Sequence, residues 1–287
     1  MTIAKILVPI RGDGKGEAVL DHAIALGRGF NAHVEALYCR AAAEDMLPYG
    51  VVVPRMLRDQ IRQSMKSVAS GESEHLRELF DGVAQRHGLE VVGNGTVPPR
   101  DRPTLGWATA EGRQADLLGV HGRLTDLIAV PRPDHEANLG FNTLYAALMN
   151  TGRPVLMCPP RAPETALPGH IAIAWNGSTE AARAVALGTD LLQQASAVTI
   201  LTSGKLPRGA SAEELIGYLA VRGITAAHAA LPPGGDVGQT ILDGATARGA
   251  DMLLMGAYSH SRGRESLFGG VSQHIVDHAD LPVVLVH

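Results

Sequence analysis

With 287 residues, 45% of them hydrophobic, the chain can bury one large core or two modest ones, and 33 glycines beside only 4% aromatic residues suit closely packed α/β layers better than an aromatic-rich β-sandwich. A net charge of −4 and a pI near 6.3 argue against nucleic acid or an anionic membrane as a general partner. No apolar run reaches the length of a membrane span, and the opening MTIAKILVPIRGDGKG turns polar at Arg11 and Asp13 too soon for a signal peptide, so a cytoplasmic location is expected.

KILVPI at Lys5–Ile10 reads as an apolar strand, RGDGKG as a turn, Glu17–Leu26 as a helix and HVEALYC at His33–Cys39 as a second strand. Met56–His87 carries helical periodicity across Gly71, so a long or broken helix is expected, while the pattern from Val91 to Ala110 fits no element cleanly. LLGVHGRL, containing His121, reads as helix, and Thr125–Asp134 as a strand running into Pro131. A strand within Arg153–Pro160 and the Pro-rich segment Pro159–Gly169, read as a linker, come next. The same order then begins again: HIAIAW, the turn NGS, a helix over TEAARAVALGTDLLQQ and the strand AVTILTS. Strands are expected near 170–175, 198–203, 224–230, 251–255 and 282–286. The two cysteines, Cys39 and Cys158, each end a predicted strand and form neither a disulfide framework nor a CxxC pair; small buried thiols are expected.

The parallel between the halves extends to their ends, where RPVLMCPP matches LPVVLVH and TDLIAVPRPD matches ADMLLMGAYS, with Pro131 in the place of Gly256. A repeat this long means two copies of one domain, expected at 1–160 and 169–287. Alternating strands and helices predict an α/β fold of two tandem doubly wound parallel-sheet domains, layered like flavodoxin. In such sheets, ligands sit beyond the carboxyl ends of the strands at the switch point, so WNGS should face the segment GAYSHSRGRES, and RGDG should face PRPDHEAN.

Met255–Val276 reads as a buried strand, a polar loop and a helix opened by Gly269 and Gly270, with Val271, Ile275 and Val276 on one face. A helix N-terminus behind glycines is suited to an anion, because unpaired N–H groups point outward and the dipole favours negative charge. The glycines equally suit turn and cap positions of the fold. Arg262 and Arg264 are candidate phosphate clamps or solvated loop charges. GxSxG, HExxH and GxxxxGK[ST] are absent and the twelve histidines are scattered, so no catalytic residue and no metal ligand is assigned.

These residues resemble the universal stress protein (UspA-like) family, as a tandem pair covering nearly the whole chain. The nucleotide-binding branch of that family carries Gly, two residues, Gly, nine residues, then Gly and Ser or Thr. Gly256, Ser259 and Gly269 keep this spacing, but Ser259 replaces the second Gly and Gly270 the hydroxyl residue; Val271 and Ser272 match the family's next two positions, Val and then Ser or Thr. The AWNGS turn and the HSR…FGGV loop are similar to a proteobacterial subgroup. Asn176 and Arg11 stand where nucleotide-binding members usually have Asp.

The resemblance implies a nucleotide-binding site built from Ala174, Trp175, Asn176, Gly177, Met255, Gly256, Tyr258, Ser259, Arg262, Arg264, Gly269, Gly270, Val271 and Ser272. It implies ATP or a related adenine nucleotide, with Mg only if ATP is bound, and a stress-response regulatory module acting on an unknown protein partner. The first copy, with Pro131 in its loop, reads as a degenerate structural half. Family dimers pair their last strands antiparallel, which implies that Val155–Cys158 and Val283–Val286 pair within one chain as an intramolecular pseudo-dimer, with further homodimer formation left open. A ligand-free scaffold and a slow ATP hydrolase are the alternative readings.

Overall fold

A computed structural model describes residues 3–40, 55–134, 140–163, 166–204, 209–257 and 270–287, with the backbone course alone over 55–70. The first half runs β1 (Lys5–Ile10), α1 (Gly16–Arg28), β2 (His33–Arg40), α2 (Arg55–His87), β3 (Glu90–Val92), β4 (Thr104–Glu111), α3 (Gln114–His121), β5 (Leu127–Pro131), α4 (Phe141–Thr151) and β6 (Val155–Cys158). The second runs β7 (His170–Ala174), α5 (Thr179–Leu187), α6 (Thr189–Gln194), β8 (Ala197–Ser203), α7 (Ala212–Ala220), β9 (Ala227–Leu231), α8 (Val237–Thr246), β10 (Met252–Gly256), α9 (Gly270–His278) and β11 (Val283–Val286).

All the strands join one sheet in the order β3-β4-β2-β1-β5-β6-β11-β10-β7-β8-β9. The run β4-β2-β1-β5-β6 in one half has the same spatial sequence as β9-β8-β7-β10-β11 in the other. Each half is parallel within itself, and the halves join where β6 meets β11 antiparallel, Leu156 opposite Val284. This is the expected pairing, and it buries the two strand edges that would otherwise be exposed. The near-continuous apolar runs of β1 and β10 arise from helices on both faces. One face carries α1, α2, α5, α6 and α7, through residues such as Leu20, Phe80, Val185 and Leu215. The other carries α3, α4, α8 and α9, through Leu118, Leu144, Ile241 and Ile275.

Two open readings resolve, and two local expectations need revision. The segment near 91–110 resolves into the short β3 and the eight-residue β4, whose Trp107 lies edge-on to Phe80 of α2 at 5.3 Å. Helix α2 passes through Gly71 unbroken, the long-helix alternative of the two. The helix expected over 179–194 divides at Gly188, where a Cβ would lie 2.8 Å from Leu254 Cδ2 and from Ala184 O, so the backbone approaches β10 too closely for a side chain. Strand β9 begins at Ala227 rather than near 224, because Ile224 closes the end of α7: its N–H donates to Leu219 O after Gly223 takes a positive φ of 75°.

Candidate functional site

Strands β7 and β10 are neighbours, with Ala174 opposite Met255, so the segments leaving their carboxyl ends start side by side. Trp175 comes directly after β7 but is held in the core: it is 6% exposed, and its indole Nε1 donates to Ala210 O at 2.9 Å. It anchors the segment after β8 against the turn and presents no free ring to a base. Asn176 folds its side chain back, with Oδ1 accepting the Ser178 N–H at 3.1 Å, and Gly177 takes φ +73°. Ser178 then caps α5, its Oγ accepting the Ala181 N–H at 3.1 Å. The side-chain oxygens of Asn176 and Ser178 are therefore used within the turn and the helix cap.

Gly256 ends β10 beneath the first turn of α5. A Cβ there would lie 2.5 Å from Ala181 N and collide with the Glu180 backbone, so the missing side chain is required by packing alone. On the opposite face α9 begins at Gly270, which is exposed and has no described neighbour within 4 Å of its Cβ position. Val271 is half-buried and Ser272 is 8% exposed, while Ile275 and Val276 share a core cluster with Met255. The ends of β7 and β10 thus lie between α5 on one face and α9 on the other. Tyr258, Ser259, Arg262, Arg264 and Gly269 lie outside the described residues.

Beside α9 is a cluster that the sequence did not reveal. Asp236 caps α8, with Oδ1 accepting the Gly238 and Gln239 N–H groups, while its Oδ2 lies 2.7 Å from His274 Nδ1. The other nitrogen of His274 meets Gln239 Oε1 at 3.0 Å, and the His274 ring stacks on His278 at 4.3 Å. The HxxxH spacing of His274 and His278 was the available signal; without the approach of α8 it indicated nothing. Among the described residues, no group of His, Cys, Asp and Glu is arranged to hold a metal ion.

The corresponding place in the first half is occupied by the protein's own side chains. An opening of about 250 Å³ is bounded by Arg11, Lys15, Gln114, Pro131 and Thr143. Arg11 Nε donates to Asp13 at 3.1 Å, Lys15 Nζ pairs with Asp134 at 3.1 Å and Thr143 Oγ1 donates to Gln114 Oε1 at 2.9 Å. From α2, Glu72 accepts the Gly12 N–H at 2.8 Å and the Tyr38 hydroxyl at 3.3 Å. Burial and the Glu72 carboxylate push the Tyr38 hydroxyl above its usual pKa. A roomier hollow of about 830 Å³ lies between α1, the end of α2 and Ala162, Pro163 and Ala166, but its polar groups are engaged with one another: Arg86 binds Glu17 and Asp21, His87 meets Asp21, and Arg28 donates to His87 O at 2.8 Å.

Residues 233–287 match the model of the Universal stress protein family. The match spans α8, β10, α9 and β11, and so includes β10 and α9 of the candidate site but not β7 and α5. No curated protein matches the chain. Among solved structures, a universal stress protein from Archaeoglobus fulgidus DSM 4304 aligns over 98% of this chain and 95% of its own, with a TM-score of 0.67 at 12% identity. A putative universal stress protein from Pseudomonas aeruginosa UCBPP-PA14 aligns over 99% of this chain and 93% of its own, with a TM-score of 0.52 at 17% identity. A functionally unknown protein from Pseudomonas aeruginosa PAO1 gives 99% and 92%, with 0.53 at 17% identity. At these identities the likeness establishes the fold, a mostly parallel α/β sheet of universal stress protein type.

Proposed function

We propose that the chain is a tandem universal stress protein of two domains, 1–160 and 169–287, and that the second holds a small anionic ligand as a cytoplasmic regulatory module rather than a metabolic enzyme. The observation that carries this reading is the juxtaposition of Ala174 and Met255 at adjacent strand ends, with the first described residue of α9, the exposed Gly270, on one side. An adenine nucleotide such as ATP is the first candidate, with Mg²⁺ accompanying ATP alone. Backbone N–H groups of the first turn of α9 would receive phosphate oxygens, and Arg262 and Arg264 would add charge-assisted bonds. Binding would shift the population of a surface read by a protein partner.

Calorimetric titration with ATP, ADP and AMP tests this, using Gly270→Glu as the control. The open space at Gly270 admits the side chain, and a carboxylate in the first turn favours the helix while repelling an anion. Heat of binding in the parent and none in the variant is the expected result; no heat in either removes the reading.

A ligand-free scaffold is the second reading, and three observations favour it: Asn176 Oδ1 is committed to its own turn, Gly256 is required by α5, and the first-half opening is filled from within. A slow ATP hydrolase is the third reading, since no observation favours it over binding alone.

A further inference from the structure

The sequence contains two Asn-Gly pairs, Asn94-Gly95 and Asn176-Gly177, and the fold holds them differently. An asparagine followed by glycine can close on itself, because glycine has no side chain to obstruct the approach of its backbone nitrogen to the carboxamide carbon, Cγ. Closure requires that nitrogen to reach Cγ in a near-attack geometry, so it depends on how freely the main chain turns about the asparagine. Both asparagines are exposed, and their surroundings decide between them.

Asn176 lies between two fixed points. Before it, the buried Trp175 donates its backbone N–H to Leu201 O and its indole N–H to Ala210 O, both at 2.9 Å. After it, Ser178 donates its N–H to Asn176 Oδ1 and caps α5 through Oγ. Turning Asn176 towards the Gly177 nitrogen breaks the bond to Oδ1 and pulls on the helix cap. Asn94 has no such restraint. It follows β3 in the turn Gly93–Thr96, whose four residues are all exposed, and the chain continues exposed at Val97 (88%). One backbone bond closes the turn, Thr96 N–H to Gly93 O at 3.1 Å, with Gly95 at φ +82°. Neither the Asn94 carboxamide nor the Gly95 N–H has a hydrogen-bond partner among the described residues.

We propose that Asn94 is a site of slow, uncatalysed modification by water, which converts it to aspartate and isoaspartate while the fold protects Asn176. The Gly95 nitrogen gives up its proton to solvent and bonds to Asn94 Cγ. The bond from Cγ to the side-chain nitrogen then breaks, and ammonia leaves after taking a proton from solvent. The product is a five-membered cyclic imide, which water opens at either of its carbonyl carbons. Attack at Cγ breaks the new bond to the Gly95 nitrogen, restores the original main chain and leaves aspartate. Attack at the main-chain carbonyl carbon of residue 94 instead routes the chain through Cβ and Cγ and leaves isoaspartate. One water is consumed and one ammonia released, with no oxidation or reduction. Either product adds a negative charge where the chain leaves β3. Isoaspartate also lengthens the main chain by one carbon within the turn, so the bond from Thr96 to Gly93 must rearrange.

The test is incubation of the full chain for days in warm, mildly alkaline buffer, with a parallel sample in urea, followed by peptide mapping with electron-transfer fragmentation, which separates aspartate from isoaspartate. In urea the two pairs should react at comparable rates, because only the fold distinguishes them. In the native chain Asn94 should react close to that rate, and Asn176 about tenfold more slowly or less, since its turn bond and cap must be disturbed first. Asn94→Gln, which would have to close a larger ring, should remove most of the acidic form that native protein develops on ion exchange. An Asn94 that stays intact in the native chain while reacting in urea, or a native Asn176 that reacts as fast as Asn94, would each overturn the proposal.

Discussion

Asp126 and Asp251 make the same contact in the two halves. Asp126 Oδ2 accepts the N–H groups of Ala4 and Lys5 at 2.8 and 2.9 Å, and the Asp251 carboxylate accepts those of Gly169 and His170 at 3.1 and 2.9 Å. In each case the residue just before β5 or β10 pins the start of the neighbouring strand, β1 or β7. Replacing either by Ala leaves two backbone donors without their partner and should cost about 1–3 kcal/mol. Being far apart, the two losses should add in urea unfolding; a neutral Asp126→Ala variant would remove this explanation of the repeated contact.

The glycines should separate by role. Gly256→Ala puts a Cβ against the Glu180–Ala181 backbone and should destabilise by about 1–3 kcal/mol. Gly270→Ala enters open space at a helix start and should be neutral or stabilise by a few tenths of a kcal/mol up to about 1. Thermal unfolding of the two variants distinguishes packing glycines from those left open to solvent.

Acid should weaken the fold in a defined window. Burial holds the imidazoles of His22 and His33 below the usual 6.5; His22 meets Ala18 O at 2.8 Å and His33 meets Thr104 Oγ1 at 2.9 Å. Because the folded value is the lower one, the unfolded chain takes up protons first, so stability is full above 6.5 and falls as pH drops from 6.5 through the folded values. Each group contributes at most about 1.4 kcal/mol per pH unit in that window. Urea unfolding at successive pH values should show this slope, and His33→Gln should flatten it.

Both thiols should be inert in the native protein. Burial pushes the Cys39 thiol up to about 12, against a smaller opposing effect of Arg11, and pushes Cys158 higher still. Iodoacetamide near neutral pH should label neither until denaturant is added, since the thiolate is the reactive form. Rapid labelling of Cys39 without denaturant would contradict its burial.

The repeated strand pattern was legible because β1, β2, β7, β8 and β10 bury both faces and so read as apolar runs, and because Pro precedes the final strand of each half. The pairing of Val155–Cys158 with Val283–Val286 came from a family resemblance, as neither strand encodes its partner. The features that stayed hidden depend on tertiary approach. The division at Gly188 arises from Leu254, and the burial of Trp175 from the return of the chain at Ala210. Likewise Glu72 of α2 reaches Gly12, in the turn after β1, across 60 residues. Sequence spacing marked Gly256 as a possible phosphate contact; the structure supplies a packing reason for the same residue.

The central claim, a ligand at the second-half strand ends, is tested most directly by mass spectrometry of small molecules released on denaturing undialysed protein, with Gly270→Glu beside it. The account predicts an adenine nucleotide from the parent and about tenfold less or none from the variant. Nothing released from either, even after incubation with ATP, would contradict it and leave the scaffold reading in its place.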